Sequence, residues 1–154
     1  MIRKAQKKDI PRILALLTQV NLVHHLGRPD LFQKNTKYDA SDLEEILSDN
    51  RRPVFVFTDE EDVVLGYGFC VLEETKGDRI LTDIQTLYID DICVDENARG
   101  KHIGSQIYEA IREYACTLGC HHITLNVWSL NPVAQKFYES LGMKPMKVTM
   151  ETVL

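Results

Sequence analysis

Two β-rich runs, residues 87–94 (LYIDDICV) and residues 122–128 (HITLNVW), flank a segment whose apolar residues Ile103, Ile107, Ala110, Ile111, Tyr114 and Leu118 recur at helical spacing. A strand that leads through a helix into a second strand of the same sheet must cross over, and the crossover makes the two strands parallel. This central β–α–β unit excludes an all-α bundle and an all-β sandwich. The rest of the chain has to be built around it.

Before the unit, residues 2–5 read as a short strand. Ile10, Ile13, Leu14 and Leu17 then recur as a helix behind Asp9, and Gly27 with Pro29 stops it. His24 and His25 suit the C-terminal end of that helix. Residues 26–38 have turn residues and no period, so they read as a loop. Ser41 and Glu44 form a capping box for a short helix over residues 42–47. Residues 54–58 and 63–73 read as an antiparallel hairpin around an acidic turn. After the unit, Asn131 and Pro132 open a helix carrying Val133, Ala134, Phe137 and Leu141, Gly142 closes it, and residues 146–153 read as a last strand. The expected architecture is α/β: a mixed, mostly antiparallel twisted sheet of six to seven strands with four helices on its two faces. No linker divides the chain, so one domain over residues 1–154 is expected.

Bulk properties narrow the function classes. A formal net charge of −5 with scattered Lys and Arg argues against a nucleic-acid surface and suits a cationic or neutral partner. No apolar stretch reaches bilayer length, and the N-terminus lacks the apolar core of a signal peptide, so a cytoplasmic protein without membrane attachment is expected. Cys70, Cys93, Cys116 and Cys120 are expected to be reduced. The segment CTLGCHH contains possible zinc ligands. However, Cys116 falls on the polar helix face, and His121 and His122 would point to opposite sides of a strand, so no metal site is expected.

The chemistry concentrates in residues 90–105, DDICVDENARGKHIGS, where a strand enters a glycine-containing turn that opens a helix. The first amides of a helix lack internal partners and lie at the positive end of its dipole, so they can donate hydrogen bonds to a pyrophosphate. The P-loop and the dinucleotide fingerprint are both absent. Taken alone, Gly100 and Gly104 could equally shape a turn and pack a helix.

A second segment, NVWSLNPVAQKFYESLGM, narrows the reading. Together the two segments resemble the GNAT superfamily of N-acetyltransferases, whose phosphate loop reads Arg/Gln-x-x-Gly-x-Gly/Ala and whose later segment carries Asn, Ala, Phe-Tyr and Leu-Gly-Phe/Met. Arg99 and Gly104 match the first pattern. Asn131, Ala134, Phe137, Tyr138, Leu141, Gly142 and Met143 match the second. The resemblance covers about residues 87–145. It departs at His102, which stands where the family usually has a glycine; a left-handed backbone there would cost a non-glycine residue roughly 1 to 2 kcal/mol.

The resemblance implies acetyl-CoA as cosubstrate and splayed central parallel strands. It further implies that backbone groups of Ile92, Cys93 and Val94 pair with the pantetheine arm and polarise the thioester carbonyl. Arg99, Gly100, Lys101, His102, Ile103, Gly104 and Ser105 would hold the pyrophosphate, Asn131 would bond the pantetheine, and Tyr138 would protonate the departing thiolate. An alkyl amine with a pKa of about 10.4 needs help to lose its proton near neutrality. Asp90 is the candidate base, because it shares a face with Ile92 and Val94 while Asp91 would point to the other. Without the resemblance, Tyr138 reads as a core tyrosine, Asn131 as a helix cap, and Asp90 and Asp91 as partners of Arg side chains. The acceptor is expected to be a small-molecule amine, polyamine- or aminoglycoside-like. The alternatives are a protein N-terminus or lysine, and a non-catalytic acyl-CoA-binding module. A homodimer through a free strand edge after Met146 is a further expectation.

Overall fold

The structure, a computed structural model, describes residues 1–154. Strand β1 (Ile2–Lys4) is followed by a short turn of 3-10 helix, then helices α1 (Ile10–Gly27) and α2 (Ala40–Ser48). Next come strands β2 (Val54–Thr58), β3 (Val64–Thr75) and β4 (Ile84–Val94), helix α3 (Ile103–Thr117), strand β5 (His122–Leu125) and helix α4 (Pro132–Ser140). The five strands form one sheet in the order β1-β2-β3-β4-β5. Every pair is antiparallel except β4 with β5, which the α3 crossover makes parallel.

Strand alternation divides the interior between the two faces of the sheet. On β2, Val54 and Val56 join Ile13, Leu16 and Leu17 of α1 and Leu43 and Ile46 of α2 in one core. Phe55 turns to the other, with Leu87, Ile89 and the α3 stripe Ile103, Ile107 and Ile111. Helices therefore cover both faces, as the residue patterns predicted.

Several boundaries differ from expectation for local reasons. The sheet has five strands rather than six or seven, because residues 144–154 carry no regular structure. Strand β4 starts at Ile84 rather than at residue 87, since its ladder with β3 continues to the Thr75–Ile84 pair. Strand β5 stops at Leu125 rather than at residue 128, where β4 leaves it. The capping box of α2 lies two residues early. Asp39 accepts from the Asp42 amide at 2.8 Å and Asp42 accepts from the Asp39 amide at 2.9 Å, so a pair of aspartates does what Ser41 and Glu44 were expected to do.

Candidate active site

The parallel ladder of β4 with β5 ends at the Ile89–Leu125 pair. Beyond it, from Asp90 to Val94, β4 keeps β3 on one side and has no strand on the other. The two strands splay, and the backbone of Ile92, Cys93 and Val94 presents an open edge to the cleft.

A bulge marks the point of divergence. Pairing passes from Phe69–Asp91 to Cys70–Ile89, leaving Asp90 unopposed. An extra residue breaks the alternation that would put neighbouring side chains on opposite faces. Asp90 accepts from the Tyr38 hydroxyl at 2.6 Å and sits 2.9 Å from the Lys37 ammonium. Asp91 accepts from the Tyr67 hydroxyl at 2.6 Å. Tyr38 and Tyr67 both pack against Phe69, with ring centroids 5.5 and 4.9 Å away. Both carboxylates therefore gather on the Phe69 side, which corrects the expectation that Asp90 shares a face with Ile92 and Val94, since those two pack against the opposite core. Neither meets an arginine; their partners are tyrosines and one lysine. Solvent reaches part of the Asp91 residue, but its carboxyl is packed among protein atoms. That burial raises its pKa against the opposing effects of the Tyr67 hydrogen bond and the Lys37 charge.

The turn into α3 is built from the strand end. Asp95 is buried, accepts from the Asn97 amide at 2.9 Å and pairs with the guanidinium of Arg12, whose Nε also donates to the Val64 carbonyl at 2.9 Å. The chain then exposes Arg99, Gly100, Lys101 and His102, with Gly100 at φ 81° and His102 at φ 57°. His102 occupies the N-cap of α3 in a left-handed conformation, and no side chain caps the helix. The first amides of α3, at Ile103, Gly104 and Ser105, are left without a capping partner beside two cationic side chains. This arrangement suits a diphosphate. Gly104 has a packing task as well, since a Cβ there would come within 3.0 Å of the Phe137 ring.

Asn131 caps α4, its Oδ1 accepting from the Ala134 amide at 3.2 Å. The Tyr138 side chain is half-buried, and no hydrogen bond engages its hydroxyl. Burial, then the nearby Asp91 and Cys93, push its pKa well above the ordinary phenol value. Burial followed by the charge of Asp91 pushes the Cys93 thiol up to about 12, so it stays protonated and is no nucleophile. His24 stacks on Phe32 with ring centroids 4.9 Å apart, and burial followed by the Lys37 charge lowers its pKa, so it does not serve as a cationic helix cap. No group of three His, Cys, Asp or Glu side chains gathers as a metal site would require.

The model of the Acetyltransferase (GNAT) family matches residues 20–143, a span that contains both the splay and the α3 turn. The chain belongs to this family. A bovine thialysine N-epsilon-acetyltransferase is 30% identical, the match covering 92% of this chain and 82% of that protein. A glucosamine 6-phosphate N-acetyltransferase of Arabidopsis thaliana is 27% identical over 60% of this chain and 75% of its own length. Among solved structures, the BH1408 protein of Bacillus halodurans, crystallised in mutant form, superposes with a TM-score of 0.97 at 35% identity, over 100% of this chain and 99% of that one. An aminoglycoside N-acetyltransferase solved in complex with CoA shares the fold, with a TM-score of 0.75 at 16% identity over 100% of this chain and 98% of its own.

This GNAT protein is thus an acyltransferase, an N-acetyltransferase of a family whose cosubstrate is acetyl-CoA. No helix in it is long and apolar enough to cross a membrane. Some residues that shape the GNAT cleft carry no family motif. Gly66 and Gly68 on β3 let α3 approach: a Cβ on Gly66 would lie 3.0 Å from Ile107 and 2.9 Å from the Cys93 carbonyl of β4, and one on Gly68 would lie 2.8 Å from Ile111. Two glycines inside an apolar strand, LGYGFC, were the available signal. Lys37 and Tyr38 left no such signal, because the loop that delivers them has no period.

Proposed function

We propose that this protein acetylates a primary amine on a small, cationic, lysine-like molecule, the amine attacking directly while donor and acceptor are bound together. The observation that carries the reading is the Lys37 ammonium on Asp90 at the mouth of the splay. An alkylammonium already occupies the carboxylate there, and Tyr38 orients that carboxylate from the other side. A substrate ammonium displacing Lys37 meets an acceptor for its proton. The similarity to thialysine N-epsilon-acetyltransferase over most of both chains supports the same class of acceptor.

Acetyl-CoA supplies the activated acetyl thioester. Around it, the amides of Ile103, Gly104 and Ser105, with Arg99, Gly100, Lys101 and His102, hold the diphosphate by charge-assisted bonds. The free edge at Ile92, Cys93 and Val94 pairs with the pantetheine arm and orients the reacting carbonyl. Asn131 has its amide nitrogen free for the same arm, since its oxygen is spent on the cap. Asp90 takes the proton of the amine, and Tyr138 gives its own to the departing sulfur. The four free cysteines accord with a reducing, cytoplasmic setting.

Thiol release from acetyl-CoA over a panel of thialysine, lysine, polyamines, glucosamine 6-phosphate, an aminoglycoside and lysine peptides tests the proposal. Turnover is expected for the free lysine-like amines, and Asp90→Asn should lower kcat/KM by roughly 100-fold. Turnover confined to peptides would replace the acceptor class. Full activity in Asp90→Asn would remove the base.

A further inference from the structure

Ten lysines stand in this chain, and two of them pair with a carboxylate: Lys8 with Asp62, and Lys37 with Asp90 at the splay. Lys37 Nζ lies 2.9 Å from Oδ1 of Asp90 and 3.4 Å from its carbonyl oxygen. The Tyr38 hydroxyl donates to the other carboxylate oxygen at 2.6 Å. The ammonium thus rests against the backbone of β4 two residues, roughly 7 Å, before the open edge at Ile92. A half-exposed ion pair adds little to stability, so the fold has no need of an amine at that place.

The segment that carries Lys37 is neither helix nor strand, yet it is fastened on both sides of the residue. Upstream, the Asn21 side-chain amide donates to the Gln33 carbonyl at 3.0 Å, and Nδ1 of His25 lies 2.8 Å from the Phe32 carbonyl. Downstream, Tyr38 is held by Asp90 and by its ring against Phe69. The backbone is fixed and the stem is what can move: the Lys37 side chain is 44% exposed, against 15% for Asp90. A flexible stem on a fixed Cα keeps the amine at the cleft mouth at high effective concentration without a binding step.

We propose that Lys37 is an acceptor in its own right: when acetyl-CoA is bound and no free amine is present, the acetyl group passes to Nζ of Lys37 in the same chain. The step rests on the roles of Asp90 and Tyr138 proposed above. Asp90 takes one proton from the ammonium and passes it to solvent. The freed lone pair forms a bond to the acetyl carbon, the carbon–sulfur bond breaks, and Tyr138 gives its proton to sulfur. A second proton shed by the nitrogen restores Tyr138, and coenzyme A leaves as the thiol. Lys37 becomes a neutral amide that loses the ion pair and no longer competes with a cationic acceptor for Asp90.

Purified protein incubated with isotope-labelled acetyl-CoA and no acceptor, its modified lysines located over time by peptide mass spectrometry, tests the proposal. The expected product carries one labelled acetyl group, on Lys37, formed at a rate constant that does not change when the protein is diluted. Thialysine should suppress the label, because both amines use the same carboxylate. Tyr138→Phe should slow labelling about 100-fold, and Lys37→Arg, which keeps the cation, should take up none at that position. An unlabelled Lys37, equal labelling of exposed lysines such as Lys34 and Lys76, a rate constant that rises with protein concentration, or undiminished labelling in Tyr138→Phe would each overturn the proposal. The readings on the wild type stand whether or not the variants fold. Free amines turned over by a protein whose Lys37 stays unlabelled would strike this inference alone. A labelled Lys37 with no free amine accepted would support it and strike the acceptor class above.

Discussion

His102 holds its backbone at φ 57° and ψ 24° where glycine would be free of strain. A Cβ in the left-handed region costs roughly 1 to 2 kcal/mol. Histidine is among the side chains better tolerated there, which places the cost toward the lower end of that range. His102→Gly is therefore expected to raise the thermal midpoint by about 2 to 4 °C in a chain of this size, measured by scanning calorimetry. Acetyl-CoA affinity, followed by titration calorimetry, should be retained, since the diphosphate donors proposed above are the amides of α3, which the exchange leaves in place. Tyr138 tests the chemistry at the same scale. With its pKa pushed upward by burial and by Asp91 and Cys93, it stays protonated through the range in which a free phenol, of pKa about 10, begins to ionise. No basic limb from loss of this acid should appear in the kcat profile below about pH 10. Tyr138→Phe should lower kcat by about 100-fold or more while acetyl-CoA affinity, read by calorimetry, stays unchanged.

Helix α3 ties the fold to the cleft, because it packs on β3 through glycines and presents its N-terminus beside the splayed edge of β4. Gly66 is the less yielding contact: its nearest neighbour is the backbone carbonyl of Cys93, which cannot rotate away as the tip of Ile111 can at Gly68. Gly66→Ala should cost about 1 to 3 kcal/mol by denaturant unfolding. By displacing the Cys93 backbone it should also weaken acetyl-CoA binding, whereas Gly68→Ala should cost less and leave affinity near wild type. The central crossover, the α3 stripe and the α4 cap were legible because each depends on local periodicity and on glycine, asparagine or proline at fixed offsets. The bulge at Asp90 was not legible. It arises from the register between β3 and β4, which no single strand encodes, and it reverses the inference from alternation that put Asp90 on the face of Ile92 and Val94. The partners of Asp90 were equally hidden, since Lys37 and Tyr38 reach it from a loop more than fifty residues earlier in the chain. The strand expected over residues 146–153 does not form: alternation alone makes no strand without a neighbour to pair with, and this stretch pairs with none.

At the scale of the molecule, the first strand and first helix are joined by an ion pair at the sheet edge most distant in strand order from the splay. Arg3 on β1 grips both oxygens of Asp9, at 2.8 and 2.9 Å, and the Gln6 amide donates to the same carboxylate at 2.7 Å. The Asp9 side chain is 3% exposed. Burial acts to raise its pKa, but the Arg3 bonds and the Gln6 amide together outweigh it and hold the carboxyl below the usual range. The folded state therefore binds this proton less readily than the unfolded state, where an aspartate titrates near about 3.9. Stability from the pair is complete above that unfolded value and is lost as pH falls through the lower folded one. Asp9→Asn removes both the charge and its titration. It should cost roughly 1 to 3 kcal/mol at pH 7, where the paired carboxylate contributes in full. At pH 3 the gap between wild type and variant should narrow, because the wild type has by then lost part of that contribution. Urea unfolding of both proteins at the two pH values measures this directly; a gap that stayed constant would mean that Asp9 stabilises the fold by shape and hydrogen bonding without its charge.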